Sequence, residues 1–479
     1  MSGSARFCGY PDVVNRFDRS KTRARTSTDH AVPDNRLALM DQAFYAGHRA
    51  AGQNEVMQVV WVYDRPIDHD GIRRLHRNLA SGALGRRIER SPLPFGRYRW
   101  VADVQPPALD VTETPRPRAE FADWLDERVR MPIDPESGPG WRLSVVPFTD
   151  GTSALTIVLS HYVVDGIGAV GAITLAIMGD TSGYDYPPPQ SRSRLKGSVQ
   201  DLGDTLRETP VTARALVAAL KEARRRRNDV ARPQAPQQVA ITAGDADELV
   251  TIPGIWIRLN LSDWTARAEA LGGTTGAFAA AMTAKFDELM GRDHGDAPDV
   301  KVLLLVNDRT QGDARAVAVS FARVGIEPSG VTSDLSGVRA AIKDAVKTLR
   351  ETPDESEQFV ALAPFTTKRT WKQLIDYALS DPERPAVCSN LGEVGPVVSR
   401  PDGTLCDHAF IRGSSQHLTR EWRDRMGSQL QLFCGLGAEV NKVGIHVRAY
   451  QPGSLTTTDD LRELAVKVLA EFGLAGEIE

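Results

Sequence analysis

The sequence predicts a mixed α/β protein, of the α+β kind, built from two halves of similar size. Segments with strand character alternate with amphipathic helical segments over residues 31–185 and again over residues 251–479. Between them, residues 186–250 are rich in proline, glutamine and arginine, a composition typical of a connection between lobes. A chain of 479 residues also exceeds what one ordinary hydrophobic core accommodates.

The first half opens with a helix, a strand and a second helix. Residues 1–30 are rich in Arg, Ser and Thr without periodicity, and we expect them to form a flexible leader. Asp34 or Asn35 can then cap a helix that carries an apolar face. Residues 56–64 have the β-branched and aromatic content of a buried strand, and the helix after them ends near Gly82.

Two apolar strands followed by an apolar helix come next. The sequences WRLSVVPF and TSALTIVLS are separated by a short turn at 149–151, which predicts an antiparallel hairpin. A strand within 94–104 and a helix over 118–130, which stops before Pro132, precede this hairpin. The apolar helix begins at Gly166, a few residues after the hairpin ends.

The second half repeats the alternation. A strand that begins near Ile255 leads into a helix capped at Ser262. We expect further helices over 276–290, 336–351, 367–379 and 458–473, and further strands over 300–310, 385–392, 429–435 and 443–450. Residues 403–417 look like a loop. Cys406, His408, His417 and Cys434 are spaced too irregularly for a metal site, so we expect these four residues to have unrelated roles.

Charge and composition exclude several classes of protein. A net charge of -4 gives no basic field for nucleic acid. The first 30 residues hold no apolar run suited to a signal peptide, and no window of the chain reaches the length of a membrane span. The four cysteines lack a C-x-x-C pair and do not suggest a disulfide framework. We therefore expect a cytoplasmic protein, and we expect it to be a monomer.

A basic run, Arg224–Arg227, ends the helical part of the connection. Such a run is most often a solvated helix end. Docking of an acidic carrier, a phosphate or a membrane surface is the alternative interpretation, so any membrane contact is expected to be peripheral.

The stretch 158–172, VLSHYVVDGIGAVGA, contains two competing patterns. GIGAVG fits the dinucleotide fingerprint, but five residues separate it from the strand, and DTSGYDYPPPQ after the helix cannot be a buried strand. Asp165 would also repel a pyrophosphate at that helix end. We interpret the glycines structurally: Gly166 for a turn with positive φ, and Gly168 and Gly171 for close packing of the helix on the sheet.

The second pattern places His161 at the end of an apolar strand, where its side chain can project into a cleft. An imidazole there can take a proton from an acceptor hydroxyl or amine that attacks a thioester, and return it to the leaving thiolate. Asp165 can orient the ring, or it can turn away and hold the loop through an arginine. On its own, H-x-x-x-D is weak support for either role.

Several segments together resemble the CoA-dependent acyltransferase superfamily, which includes condensation domains, wax ester synthase/diacylglycerol acyltransferases and polyketide-associated acyltransferases. SHYVVDG resembles the HHxxxDG motif of that superfamily. MPIDPESGPGWRLSVV (131–146) resembles the segment that precedes the motif, ALGGTTGAFAAAM (270–282) the helix that opens the second lobe, and CSNLGEVGP (388–396) the late SNxxGP segment. The resemblance spans the chain from about residue 35 to its end.

The resemblance implies two chloramphenicol-acetyltransferase-like lobes with a tunnel between them. It makes His161 the general base, with Asp165, Gly166 and Arg309 as structural residues and an ion pair between Asp165 and Arg309. Ser389 and Asn390 would line the substrate channel, together with Ser160, which replaces the first histidine of the motif. No cofactor is implied, because the acyl-CoA or the acyl-carrier phosphopantetheine is a co-substrate.

The sequence thus predicts an acyltransferase that moves an acyl group from a CoA or carrier-protein thioester to an alcohol or amine. An amide-forming condensation enzyme of the same fold and a catalytically silent docking module are the alternatives. TTGA in place of TvND and the longer GEVGP segment leave open whether long-chain alcohols or diacylglycerols are substrates.

Overall fold

A computed structural model describes residues 34–103, 105–228, 245–292, 294, 298–310, 312–351, 359–379 and 384–479. The predicted leader, 1–30, lies outside the described residues, as do the side chains of Arg224–Arg227 and the last part of the predicted connection. The predicted lobe boundaries remain a prediction.

The α-helices of the described chain are α1 Leu39–Ala51, α2 His69–Ser81, α3 Phe121–Arg130, α4 Gly166–Ile177, α5 Arg194–Asn228, α6 Leu261–Ala270, α7 Thr275–Met290, α8 Ser336–Glu351, α9 Lys368–Leu379, α10 Arg420–Met426 and α11 Thr458–Glu471. None of them is both long and apolar enough to cross a bilayer.

The strands of the described chain are β1 Asn54–Tyr63, β2 Arg86–Glu89, β3 Arg99–Ala102, β4 Asp110–Val111, β5 Trp141–Pro147, β6 Ser153–Ser160, β7 Gly254–Asn260, β8 Val300–Asn307, β9 Val319–Ile326, β10 Ala386–Glu393, β11 His408–Gln416, β12 Gln429–Gly437, β13 Lys442–Tyr450 and β14 Glu477–Ile478. The predicted hairpin is present as the antiparallel pair β5 and β6.

The strands form two main sheets. The first sheet has the order β11-β1-β6-β5-β4 and the second has the order β14-β7-β13-β12-β10-β8-β9. Apolar residues of β1, β5 and β6 pack with α2 and α4, while those of β7, β12 and β13 pack around α7 and α11. Each sheet therefore has its own core, and the predicted mixed α/β class is confirmed.

Strand β11 joins the two halves of the chain. It comes from the second half but pairs antiparallel with β1 of the first sheet, from Asn54 opposite Gln416 to Val62 opposite His408. The prediction of a loop over 403–417 was therefore wrong for most of this segment. The segment alternates poorly in polarity, and it is a strand because β1 offers it a free edge.

One side of the second sheet faces β11, and we call it the interlobe face; it comprises Gly254, Trp256, Phe433, Gly444, His446 and Arg448. The ring of Trp256 lies 4.7 Å from that of Phe410 on β11. A side chain at Gly444 would approach Phe410 and the carbonyl of Ala409. The opposite side carries Val443, Ile445, Val447 and Ala449, which are buried against the helices.

Two predicted helix caps were wrong. The residue before α1 is Ala38, because Asn35 and Leu37 are held in extended pairing with β3 through Trp100 N to Asn35 O (2.6 Å) and Leu37 N to Tyr98 O (2.8 Å). Helix α6 begins at Leu261, after Asn260, and so includes the predicted cap, Ser262.

The start of α6 is satisfied from outside the helix. The Ser262 amide donates to the Oδ1 of Asn441 at 3.1 Å, and the Leu261 amide donates to the carbonyl oxygen of Asn441 at 3.1 Å. A residue of another segment thus accepts the N–H groups that a local cap would have served.

The close approach of α2 to the backbone of Asp402, just before β11, gives the first prediction. A side chain at Gly71 would overlap the backbone carbonyl of Asp402, which leads into β11. We expect Gly71→Ala to lower the free energy of unfolding by about 3 kcal/mol, since the backbone must move. Chemical denaturation measures the change. Gly203→Ala is the control, because no atom lies within 4 Å of its added Cβ in the middle of α5. Equal stability of the two variants would contradict this packing.

Candidate active site

His161 lies in the turn between the end of β6 and the start of α4. Its backbone N–H donates to the carbonyl oxygen of Glu55 at 3.0 Å, which fixes the turn against β1. The imidazole packs edge-on against Phe44, with ring centroids 5.5 Å apart. Its Nδ1 is buried, and none of the side chains described by the structure hydrogen-bonds to it. The ring is thus positioned by the backbone and by packing.

Asp165 fixes the other end of this turn. Its Oδ1 accepts the Gly168 N–H at 2.7 Å and so caps α4, and its Oδ2 accepts Arg309 Nη2 at 2.7 Å and the Ala318 N–H at 2.8 Å. The structure therefore brings Asp165 and Arg309 together as an ion pair. Because these three bonds engage both carboxylate oxygens, Asp165 holds the loop and does not orient the imidazole.

A second buried carboxylate, Asp41 of α1, holds the same segment of the second half. It accepts the N–H groups of Ala316 and Val317 at 2.9 and 2.8 Å and is 2% exposed. Burial raises the pKa of Asp41, an effect that these two N–H bonds oppose. The sequence did not single out Asp41, although a carboxylate within the apolar run LALMDQAF is a signal of this kind.

Arg86 of β2 is the third side chain that holds this segment. We call Asp165, Asp41 and Arg86 the clamp. The Arg86 guanidinium donates to the carbonyl oxygens of Ala314 and Val163, both at 2.6 Å, and lies 4.0 Å from the ring of Trp100. It therefore ties the turn that contains His161 to the segment after Arg309. Nothing in the local sequence around Arg86 indicates this role, because both partners are distant in the chain.

The glycines of the motif act differently from the prediction. Gly166 is the first residue of α4 and does not have a positive φ. It is small because an added Cβ would lie 2.9 Å from Leu391 Cδ2. At Gly168 the close neighbours are Val164 and Arg309 rather than the sheet, and at Gly171 there is open space within 4 Å. Both predictions of helix-on-sheet packing were therefore wrong.

The predicted channel residues occupy different surroundings. Ser160 is fully buried, and its Oγ accepts the Tyr162 N–H at 3.3 Å. Ser389 and Asn390 lie on β10, directly before Leu391, which approaches Gly166. The Oδ1 of Asn390 accepts the Gly392 N–H at 2.9 Å, where the pairing of β10 with β12 is irregular. Strand β10 thus approaches the helix that follows the His161 turn, and the channel roles remain a prediction.

Two ionisable residues missing from the sequence prediction lie beside His161. The ring of His48 packs against Phe44 at 4.4 Å, on the same phenyl group that His161 contacts. Burial lowers the pKa of His48, and the charge of His161 lowers it further, while Glu55 opposes both. The Glu55 carboxylate accepts a hydrogen bond from Ser415 of β11. His48, Glu55 and His161 therefore form one cluster.

A small cavity lies at the other end of β11, away from this cluster. Trp256, Arg258, His408, Phe410 and Lys442 line it, and His161 does not. Burial and the neighbouring cations lower the pKa of His408 to about 3, so this histidine stays neutral and is a poor base. We assign the candidate site from the geometry of His161 and not from this cavity.

The cysteines and histidines of the predicted loop do not converge. Cys406 packs in the core of the first sheet and Cys434 in that of the second. Across the described part of the chain, no three His, Cys, Asp or Glu side chains are grouped in a way that could hold a metal ion.

Solved structures show what this architecture resembles. The first condensation domain of the CDA synthetase superposes with a TM-score of 0.55 at 13% identity, covering 94% of this chain and 100% of the domain. The wax ester synthase/diacylglycerol acyltransferase from Marinobacter aquaeolei VT8 superposes with a TM-score of 0.51 at 18% identity, covering 92% of this chain and 100% of the enzyme. The chain shares the fold of this condensation domain and of this wax ester synthase/diacylglycerol acyltransferase.

This shared fold confirms the resemblance found in the sequence at the level of architecture, including its two lobes. No protein-family profile matches the chain, and no curated protein matches it by sequence. With identities of 13% and 18%, the likeness extends to the fold alone.

The ion pair between Asp165 and Arg309 gives the second prediction. We expect Asp165→Asn to lower the free energy of unfolding by about 3 kcal/mol, because it leaves the Arg309 guanidinium, 15% exposed, without its counter-ion. Urea denaturation measures the loss. The control is Glu351→Gln, which makes the same chemical change in an exposed pair with Lys347 and should cost less than about 0.5 kcal/mol. Similar losses in both variants would contradict a clamp at Asp165.

The third prediction concerns His446 on the interlobe face. Burial lowers its pKa well below the ordinary value, and the nearby Arg412 and Arg448 lower it further. Since the unfolded chain binds a proton near pH 6.5 and the folded chain does not, stability must fall as the pH drops below that value. We expect His446→Gln to reduce the stability lost between pH 7 and pH 5 by about 2 kcal/mol. Exposed His69→Gln is the control and should leave that loss unchanged; an unchanged loss in His446→Gln would contradict a neutral His446.

Proposed function

We propose that the protein is an acyltransferase that moves an acyl group from a CoA or carrier-protein thioester to a hydroxyl or amine acceptor. The observation that carries the proposal is His161: an imidazole in a turn fixed at both ends, beside the place where the two halves of the chain meet. Neither ring nitrogen accepts or donates a hydrogen bond among the residues the structure describes. Such a ring can receive a substrate's proton.

The reaction balances with one base. The imidazole takes the proton of the acceptor O–H or N–H as the acceptor atom bonds to the thioester carbon, and the carbonyl becomes a tetrahedral oxyanion. When the oxyanion collapses, the C–S bond breaks, and the imidazolium returns the proton to the thiolate. The step requires no nucleophile from the protein.

Positioning supports this mechanism. A base acts efficiently only when it is held within hydrogen-bond reach of the reacting group. Here the His161 N–H is tied to Glu55 and the Asp165 carboxylate to three donors, so the turn has little freedom to move the ring. Asn390 and Ser389, on the strand that approaches α4, are the proposed polar lining of the channel.

Formation of an amide is the second candidate. The likeness to a condensation domain of the CDA synthetase favours it, because the fold match is at least as good as that to the wax ester synthase. The same base serves both, since an amine and an alcohol each lose one proton as they attack. A panel of both acceptors separates the two candidates.

The fourth prediction tests the base. Purified protein is incubated with acyl-CoA and acyl-carrier panels and with alcohol and amine acceptors, while thiol release and product mass are followed. We expect His161→Ala to lower kcat by about 10²- to 10⁴-fold, the usual contribution of a general base. His76→Gln, whose ring packs on Trp141, is the control and should retain full activity.

Undiminished turnover in His161→Ala would rule out the proposed mechanism. Tight thioester binding by the wild type without any transfer, across both acceptor panels, would favour the docking module instead.

A further inference from the structure

The described arginines include one that is buried without a partner. Four arginines are 9% exposed or less: Arg86, Arg292, Arg423 and Arg448. Arg86 donates to two carbonyl oxygens, and Arg292 and Arg423 pair with Asp287 and Asp424. For Arg448, 8% exposed, no hydrogen bond or ion pair is formed with any residue in the described part of the chain. A buried cation without a counter-ion is costly, so the fold keeps it for a reason outside its own packing.

Arg448 lies on the interlobe face, close to the candidate site. It sits on β13 opposite Gly254 of β7, where an added Cβ would lie 3.6 Å from Arg448 Cγ. Burial lowers the pKa of its guanidinium, and Glu55 is the charged group that opposes this effect. Glu55 is also the residue whose carbonyl oxygen accepts the His161 N–H. Arg448 and His161 therefore flank the same residue of β1.

The neighbouring groups cannot neutralise Arg448. His446, two residues away on the same strand, bears no negative charge in either protonation state. The Arg412 guanidinium is itself a cation, and Asp126 and Gln58 already lie 2.8 and 2.6 Å from it. The Glu55 carboxylate is engaged by Ser415 and is not within ion-pair distance of Arg448. An anion from outside the protein would complete the site.

We propose that Arg448 binds the carboxylate of a substrate, so that one of the two molecules that meet at His161 carries a free carboxyl group. A planar guanidinium matches a carboxylate with two parallel N–H···O bonds. A carboxylate with one negative charge fits a site with one unpaired cation and Glu55 nearby, whereas a phosphate with nearly two charges would be repelled by Glu55. The claim that the carboxylate belongs to a reacting substrate rests on the proposed function. The claim that Arg448 binds a carboxylate does not.

The binding test needs no turnover. Calorimetric titration compares 6-hydroxyhexanoate with neutral 1,6-hexanediol, and adipate with inorganic phosphate, on wild type and on Arg448→Met. We expect the wild type to bind both carboxylates at least tenfold more tightly than the diol, and Arg448→Met to lose that preference. Arg448→Lys, which keeps the charge without the planar fork, should retain part of it.

Arg258→Met is the matched control. Arg258 alternates with Trp256 and Gly254 on β7, so it lies on the same side of the sheet, but it is paired with Glu477. We expect the carboxylate affinity of Arg258→Met to stay within twofold of that of the wild type. We also expect Arg448→Met to melt no lower than wild type, because it removes an unpaired buried charge; a lower melting temperature would make Arg448 a structural residue and overturn the proposal.

Turnover then identifies which substrate carries the carboxylate. One arm pairs octanoyl-CoA with 6-hydroxyhexanoate or 1,6-hexanediol, and the other compares adipoyl-CoA with hexanoyl-CoA on one neutral acceptor. An increase in KM of at least tenfold in Arg448→Met, with kcat unchanged, in only one arm assigns the carboxylate to that substrate.

Equal affinity for carboxylate and diol in the wild type, or tight binding of phosphate but not of carboxylates, would overturn the proposal. Carboxylate binding that depends on Arg448, together with full activity of His161→Ala, would instead leave the site intact and reject only the proposed catalytic mechanism.

Discussion

The buried carboxylate of Asp165 is the interaction on which the candidate site depends. It caps the helix that follows His161 and binds both the guanidinium of Arg309 and the amide of Ala318, which come from the other half of the chain. A carboxylate with three strong donors at 2.7 to 2.8 Å is fixed in place, since breaking any of these bonds would leave a buried polar group unpaired. The turn that presents the imidazole is rigid for this reason.

The need of buried polar groups to keep their hydrogen bonds also explains why the two halves meet through polar groups. Asp41 and Arg86 bind the backbone of residues 314–317, and Asp165 binds Arg309 and the amide of Ala318 on either side of them. Three side chains of the first half thus hold this segment of the second half. Strand β11 adds a fourth connection by entering the first sheet. An apolar interface could slide by small steps, whereas directed hydrogen bonds to specific amides fix one arrangement. The position of His161 relative to β10 and β13 follows from that arrangement.

Local patterns in the sequence carried much of the fold and part of the site. The apolar strands β5 and β6, their short turn and the apolar helix α4 were predicted because each depends on neighbours in the chain. The pairing of Asp165 with Arg309 came from the family resemblance. Asp41, Arg86, His48 and β11 escaped prediction because their roles depend on partners far along the chain, such as Ala314 and β1. The caps at Asp34 or Asn35 and at Ser262 failed for the same reason.

The charges around His161 bear on its proposed role as the base. Burial lowers the pKa of His48, on the other side of Phe44, so His48 does not place a second positive charge beside the proposed base, His161. Glu55 accepts a hydrogen bond from Ser415 of β11. Arg448 is a fixed cation at every pH at which the protein is folded, because a guanidinium does not deprotonate in proteins. A bound carboxylate would cancel that charge, and the electrostatic field at His161 would then depend on whether the correct substrate is present. Selection of the substrate and activation of the base would thus be two effects of one buried guanidinium.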